Sequence, residues 1–280
     1  MTARILDCTP AEYLRDPCAR PSLSASAAHT LVTRSSLHCW AEHPRLGDLP
    51  QKPTDATDEG SIIHALLLGA GADLDVISAD NYRTKAAQEL RDAAIGAGRV
   101  PVLERKYEQY LRVADEIRER LWKEHKIAFE GRSEMPIEWD DGGVLCRSML
   151  DHVYIDDGVI FDLKKTVSAD ARSIEAAAYR YGYDIQAVAY SRALAALKPE
   201  LAGRIDFRFV FVELEPPFAV VAPRPDGTLL EIGERRWDRA REIWRRCLER
   251  DEWPGYEQQW LSAPGWAISQ EEFADGSTSL

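Results

Sequence analysis

Between residues 134 and 166 two tight-turn signals divide the chain into three β-patterned stretches, and this segment constrains the fold more than any other. Asp140-Asp-Gly-Gly143 and Asp156-Asp-Gly158 both offer glycine where hairpin turns demand positive φ. Residues 134–139, 144–155 and 159–165 therefore read as an antiparallel meander. With Asp157 taken as the centre of the second turn, position 151 pairs near 163, which sets Asp151 beside Asp162 and Lys164 at neighbour or diagonal distance. Asp162 and Lys164 lie two apart and project from one face, whereas Phe161 and Leu163 point the other way, into the core.

Two carboxylates brought together beside an apolar sheet repel one another and raise each other's pKa, and a divalent cation relieves that repulsion. Mg2+ takes one or two carboxylates together with water and phosphate oxygens, so Asp151 and Asp162 suffice as anchors. Lys164 is placed to orient an attacking water or to stabilise charge developing on phosphorus. On the hairpin alone a second reading stands beside this one: a surface ladder of cross-strand ion pairs, each worth about 0–1 kcal/mol.

The flanking sequence is largely helical. Residues 1–30 look irregular, with the 22–26 stretch as a cap for a short helix over 27–33. Residues 44–59, rich in Pro, Asp and Thr, read as a loop. A helix carrying His64 follows from Gly60, with Ile62, Ile63, Leu66 and Leu67 at helical spacing, and Gly69-Ala-Gly71 ends it. Helices are expected over 83–96 and 102–126, the second with an apolar stripe of Leu103, Tyr107, Tyr110, Val113, Ile117 and Leu121. Beyond the meander the pattern predicts one long helix over 171–197, strands over 205–213 and 218–222, and a charged amphipathic helix over 228–250 with Trp237 and Trp244. An irregular tail is expected from Trp253. Helices before a mixed sheet, with a long helix inserted between strands, make an α/β or mixed α+β domain.

Composition narrows the class. The chain has 280 residues, 45% hydrophobic and 29% charged, enough to bury a real core. It lacks an apolar run long enough for a transmembrane helix and a secretory-type N-terminus, so no membrane association and a cytoplasmic location are expected. The five cysteines, scattered and never in a Cys-x-x-Cys pair, argue against a zinc ribbon or a disulfide framework. A net charge of −12 speaks against a basic surface that binds nucleic acid non-specifically. A local channel could still be basic, and Arg83, Lys85, Arg91, Arg105 and Lys106 are the candidates to supply it.

In the helix after the meander, Tyr183-Asp-Ile-Gln186 … Tyr190 sets Gln186 and Tyr190 four apart on one face. Taken singly, each reads more readily as a packed side chain. Taken in order, Gly60-Ser-Ile-Ile-His64, Glu134, Asp151, Asp162-Leu-Lys164 and Gln186 … Tyr190 resemble the PD-(D/E)XK nuclease superfamily. The likeness is to exonuclease VIII (RecE-like) nuclease domains of phage type, and Tyr82-Arg-Thr-Lys … Asp92 and Trp253-Pro-Gly-Tyr256 extend it over residues 22 to 256.

The resemblance implies a restriction-endonuclease-like core over 60–256, a central mixed sheet flanked by helices, behind an N-terminal irregular or helical segment (1–59) and before a tail (257–280). It implies Asp151, Asp162 and Glu134 as metal ligands, His64 as a metal ligand or a group contacting the active-site phosphate, Lys164 as the catalytic lysine, and Gln186 and Tyr190 as groups that hold DNA or support the site. It further implies Mg2+, for which Mn2+ substitutes, and hydrolysis of linear double-stranded DNA with 5′→3′ resection. A ring-shaped homo-oligomer, a RecT-like single-strand annealing partner and a phage or prophage gene in a bacterial cell belong to the same expectation. Two positions depart from the pattern: Met149 stands where an arginine is usual, with Arg147 the nearest, and Lys165 where a small residue is usual. No iron–sulfur cluster is expected, because Cys247 is the one cysteine in the C-terminal region. A non-catalytic DNA-binding or assembly module, and a nuclease of other polarity or substrate form, are the alternatives.

Overall fold

The computed structural model describes residues 3–47, 49, 59–258 and 261–276. Most of the predicted 44–59 loop, residue 48 and residues 50–58, lies outside the described residues. In chain order the elements are β1 (Arg4–Ile5), α1 (Pro10–Leu14), α2 (Ala25–Thr33), α3 (Ser36–Glu42), α4 (Glu59–Leu68), β2 (Leu74–Ile77), α5 (Lys85–Gly96) and β3 (Val100–Leu103). They continue as α6 (Glu104–Arg120), β4 (Arg132–Asp141), β5 (Val144–Tyr154), β6 (Val159–Thr166), α7 (Ala171–Arg180) and α8 (Tyr183–Leu197). The last are β7 (Asp206–Glu213), β8 (Val220–Val221), α9 (Gly227–Arg250) and α10 (Gly265–Gly276).

The fold is mixed α/β. A six-stranded sheet runs β1-β4-β5-β6-β7-β8 and is antiparallel except for the β6–β7 pair. That parallel pair requires a crossover, and α7 and α8 supply it. Alternation along the strands sends side chains to two cores. Met135, Ile137, Trp139, Ile160, Phe207, Phe209 and Phe211 pack under α2, α8 and α9, which contribute Leu31, Ile185, Val188, Trp237 and Trp244. Phe161, Leu163, Val210 and Val212 pack on the other face against Ile62, Ile63 and Leu67 of α4 and Val113 and Ile117 of α6. Burial of one large aliphatic or aromatic side chain is worth about 1.5–3 kcal/mol, so these two layers fix the sheet between its helices.

The meander forms as expected, and the α6 stripe is buried from Tyr110 to Leu121. Other expectations are corrected. Residues 100–103 do not begin a helix but pair with β2 in a separate two-stranded parallel ladder; Leu103 fits both patterns, and Pro101 favours the extended one. The long helix over 171–197 is two helices, because the chain turns at Gly182 with φ +72. Residues 3–42 are more regular than their sequence suggests. β1 edges the sheet on β4, Leu23 bridges to Cys146, and α2 packs on α9. The expected 218–222 strand shrinks to two residues beside Phe218, whose φ is +58. The tail contains the helix α10, where Trp266 and Phe273 stay exposed.

Candidate active site

The sheet opens between β5 and β6, and the opening is where the acidic residues meet. The β5–β6 ladder ends at His152↔Phe161. One residue beyond, the Asp151 carboxylate takes the place of backbone, accepting the Leu163 N–H at 2.9 Å. Continued by one step, this register sets Asp151 across from Asp162 rather than Leu163. The expected pairing is thus off by one residue, because the turn centres between Asp156 and Asp157, and the correction puts both aspartates in line.

A second distortion lies on the neighbouring strand. Glu134 has φ +49, a left-handed conformation that costs a non-glycine residue about 1–2 kcal/mol. Met135 and its partner Leu150 lie in the core under α8, whereas Ser133 donates to the Leu68 carbonyl and its partner His152 packs on Phe129 and Phe161. The two strands exchange faces at Glu134 and Asp151. Strain of this kind persists only where surrounding structure enforces it, and it gathers at functional sites.

α4 delivers His64 to this break. Its Nε2 lies 3.2 Å from Asp151 Oδ2, and its Nδ1 lies 3.2 Å from Glu134 Oε1. Among the described residues, His64, Glu134 and Asp151 bring one ligand atom each to within 4.8 Å of one another. Asp162 is not in that trio. It is fully buried, with Oδ1 accepting from Gln186 Nε2 at 2.8 Å and Oδ2 in an ion pair with Lys164 Nζ at 2.5 Å. The Lys164 ammonium also lies 5.1 Å from the centre of the Tyr183 ring.

Charge crowding governs the protonation of the group. Burial pushes Glu134 up to about 7, with Asp151 adding to the rise and His64 opposing it. Burial likewise raises Asp162, with Lys164 opposing and Asp151 contributing. Burial would raise Asp151 too, but the His64 hydrogen bond and charge outweigh it and hold the carboxyl low. For His64, burial disfavours the imidazolium, yet Asp151, Glu134 and Asp162 overcome that and raise its pKa. Lys164 is raised by the two aspartates against its burial. A centre whose carboxylates retain protons for want of positive charge fits a divalent cation, which supplies that charge. The donors, carboxylate oxygens and one imidazole, suit Mg2+ or Mn2+ better than a thiolate-loving metal.

Gln186 therefore holds a carboxylate of the site. Tyr190, one helical turn along, packs against Phe207 with ring centres 6.4 Å apart and shares a cleft with Gln186 and Arg147. Arg147 is itself buried, donating to the Ser22 carbonyl and hydroxyl, so it braces the N-terminal segment. Two supports were not visible in the sequence. Asp184, fully buried on α8, accepts both of its hydrogen bonds from Arg236 of α9 at 2.8 Å. Glu59 ties the first turn of α4 to Lys165 at 3.1 Å and to the Tyr110 hydroxyl at 2.9 Å. None of these three pairs has a short-range pattern, since the partners are 52, 106 and 51 residues apart.

The site opens onto a cleft of about 730 Å³ whose walls include His64, Glu134, Arg99, Lys164 and Lys165. The basic residues expected to line a channel do not line this cleft: Lys85 pairs with Glu89, and Arg91 with Asp92. No described helix is long and apolar enough to cross a membrane.

A family model described as a PDDEXK-like domain of unknown function (DUF3799) matches residues 28–260. No curated protein matches the chain. Among solved structures, a protein from Eubacterium rectale whose name assigns it to exonucleases superposes with a TM-score of 0.58 at 13% identity, over 92% of this chain and 96% of that one. A phage related exonuclease from Haemophilus somnus 129PT matches at 14% identity over 82% of this chain and 96% of its own, with a TM-score of 0.34.

Proposed function

This chain belongs to the PDDEXK-like DUF3799 family, and on that premise we propose that it is a divalent-metal-dependent exodeoxyribonuclease acting on linear double-stranded DNA. One observation carries the proposal: His64, Glu134 and Asp151 converge at the β5–β6 opening, where Asp151 accepts the N–H of Leu163, the residue between the paired Asp162 and Lys164. Nothing in core packing calls for such a concentration of acid under so little compensating charge.

In this reading Asp151, Asp162, His64 and Glu134 hold Mg2+, or Mn2+ in its place. When bound, the ion polarises the scissile phosphate and acidifies water. Lys164, its ammonium kept charged by two aspartates, stabilises negative charge on the phosphoryl oxygens. Gln186 fixes the Asp162 carboxylate through Oδ1, and Lys164 pairs with Oδ2, so the carboxylate that would hold the ion is oriented by both side chains. Leu163 N–H fixes Asp151 in the same way. Tyr190 supports the helix that carries Gln186. The nuclease core over 60–256, 5′→3′ polarity, the ring-shaped oligomer, the RecT-like partner, a cytoplasmic site of action and a phage origin belong to the same proposal and rest on the resemblance in sequence. The expectation that no iron–sulfur cluster is present rests on the cysteines, of which Cys247 is the one in the C-terminal region.

The test is digestion of linear double-stranded DNA labelled at either the 5′ or the 3′ end, with Mg2+ or EDTA. Wild type is expected to release 5′ label in Mg2+ alone, with Asp162→Asn and Lys164→Ala slower by at least about 10²–10³-fold. Intact linear, nicked and single-stranded DNA after incubation with Mg2+ and with Mn2+ would refute catalysis and leave a DNA-binding module.

A further inference from the structure

The mechanism leaves unused a row of aromatic side chains that leads out of the site. Tyr183 lies against Lys164, its ring packed on Phe209 at 5.5 Å. Tyr181 follows, its ring 6.0 Å from that of Tyr183, and it is 57% exposed. The Arg180 guanidinium sits 5.5 Å from the centre of the Tyr181 ring. This geometry exists because the helix breaks at Gly182. There the chain has φ +72, and an added Cβ would stand 2.6 Å from the His29 ring, so glycine alone makes the turn without displacing His29. The turn keeps Tyr183 over the sheet and leaves Tyr181 facing outward.

Tyr181 also borders a polar cleft of about 350 Å³ whose other walls include Gln186, Tyr190, Arg147 and Ser24. One wall of this cleft is therefore the side chain that holds Asp162. An exposed ring, a cation beside it and a cleft walled in part by the side chain that holds Asp162 together match one kind of occupant. A nucleobase offers a flat π-face, and its strand offers the phosphate charge that Arg180 complements. A base within a duplex has its faces covered by its neighbours, so only an unpaired or frayed base can use such a ring.

We propose that Tyr181, flanked by Arg180, is a stacking platform for an unpaired base of the DNA strand whose phosphate lies at Lys164. This rests on the nuclease reading. It assigns Tyr181 a role in substrate affinity and in the choice of frayed over paired ends, outside metal binding and outside the chemical step.

The experiment uses the full chain and a single-stranded oligodeoxynucleotide carrying 2-aminopurine, with Ca2+ replacing Mg2+ during binding. Wild type is expected to quench the base on binding. Tyr181→Ala should lose most of that quenching and bind roughly 5–150-fold more weakly, the range of one base–aromatic stack. Tyr181→Phe, which keeps the ring, should retain both. In cleavage assays Tyr181→Ala should raise KM and leave kcat and the Mg2+ dependence unchanged. If wild type cleaves DNA and Tyr181→Ala matches it in quenching, affinity and KM, the platform is overturned while the nuclease reading stands. If wild type cleaves no DNA, the nuclease reading falls and takes the platform with it.

Discussion

Glu134→Gln separates the stability of this site from its chemistry. The substitution keeps the shape of the side chain and removes the charge from a position next to Asp151. The Glu134 carboxyl titrates at about 7 in the fold, against about 4.3 for an exposed glutamate. A carboxyl raised in this way contributes stability that is fully present below the unfolded value and is lost as pH rises through the folded one. At about 1.36 kcal/mol per pH unit, the gap costs the metal-free protein on the order of 4 kcal/mol at pH 8. Relaxation and the loss of the His64 contact, 3.2 Å away, reduce the gain on substitution to roughly 2 kcal/mol. In EDTA, Glu134→Gln should therefore melt about 3–4 °C above wild type at pH 8, and the difference should all but vanish by pH 4.5. Added Mg2+ should stabilise wild type more than the variant, because the variant has lost a ligand. Thermal denaturation at both pH values, with and without Mg2+, tests each part. An equal or lower melting temperature for the variant at pH 8 in EDTA would refute the claim that this carboxylate is held against its own charge.

Gln186→Glu replaces the donor to Asp162 with a second carboxylate, and nuclease activity should fall at least about 10²-fold while the protein stays folded at pH 6; activity and circular dichroism check this. Arg236→Met strands the buried Asp184 charge and should cost about 3–5 kcal/mol in urea unfolding, with Asp184→Leu in the same chain recovering most of it. His152, fully buried, is pushed down by burial to about 4, so the stability it contributes is present above about 6.5 and is lost as pH falls toward 4. His152→Gln should flatten that acid-side loss by up to about 3 kcal/mol, read from urea midpoints between pH 7 and pH 4.

What can be read locally is what repeats locally. The two Asp-Gly turns specify the meander, the 3.6-residue apolar stripe specifies α6, and the spacing of Trp237 and Trp244 specifies the buried face of α9. These patterns depend on neighbours within seven residues, so the sequence displays them directly. The candidate residues were legible for a related reason: Asp162 and Lys164 share a strand face, and Gln186 and Tyr190 share a helix face.

Only the tertiary structure decided how these pieces meet. The one-residue register of the β5–β6 hairpin, the exchange of strand faces at Glu134 and the N–H of Leu163 given to Asp151 come from a sheet pulled between two helical layers. The break at Gly182 follows from His29 of another helix occupying the space beside it. Arg236 meets Asp184 because the α8 backbone approaches Gly233 of α9 closely: a Cβ there would stand 2.3 Å from the Asp184 carbonyl. Such contacts join residues 12 to more than 100 apart, and their energies depend on burial and on neighbouring charge. A residue's burial is fixed when the layers close on it, so no window of sequence contains it.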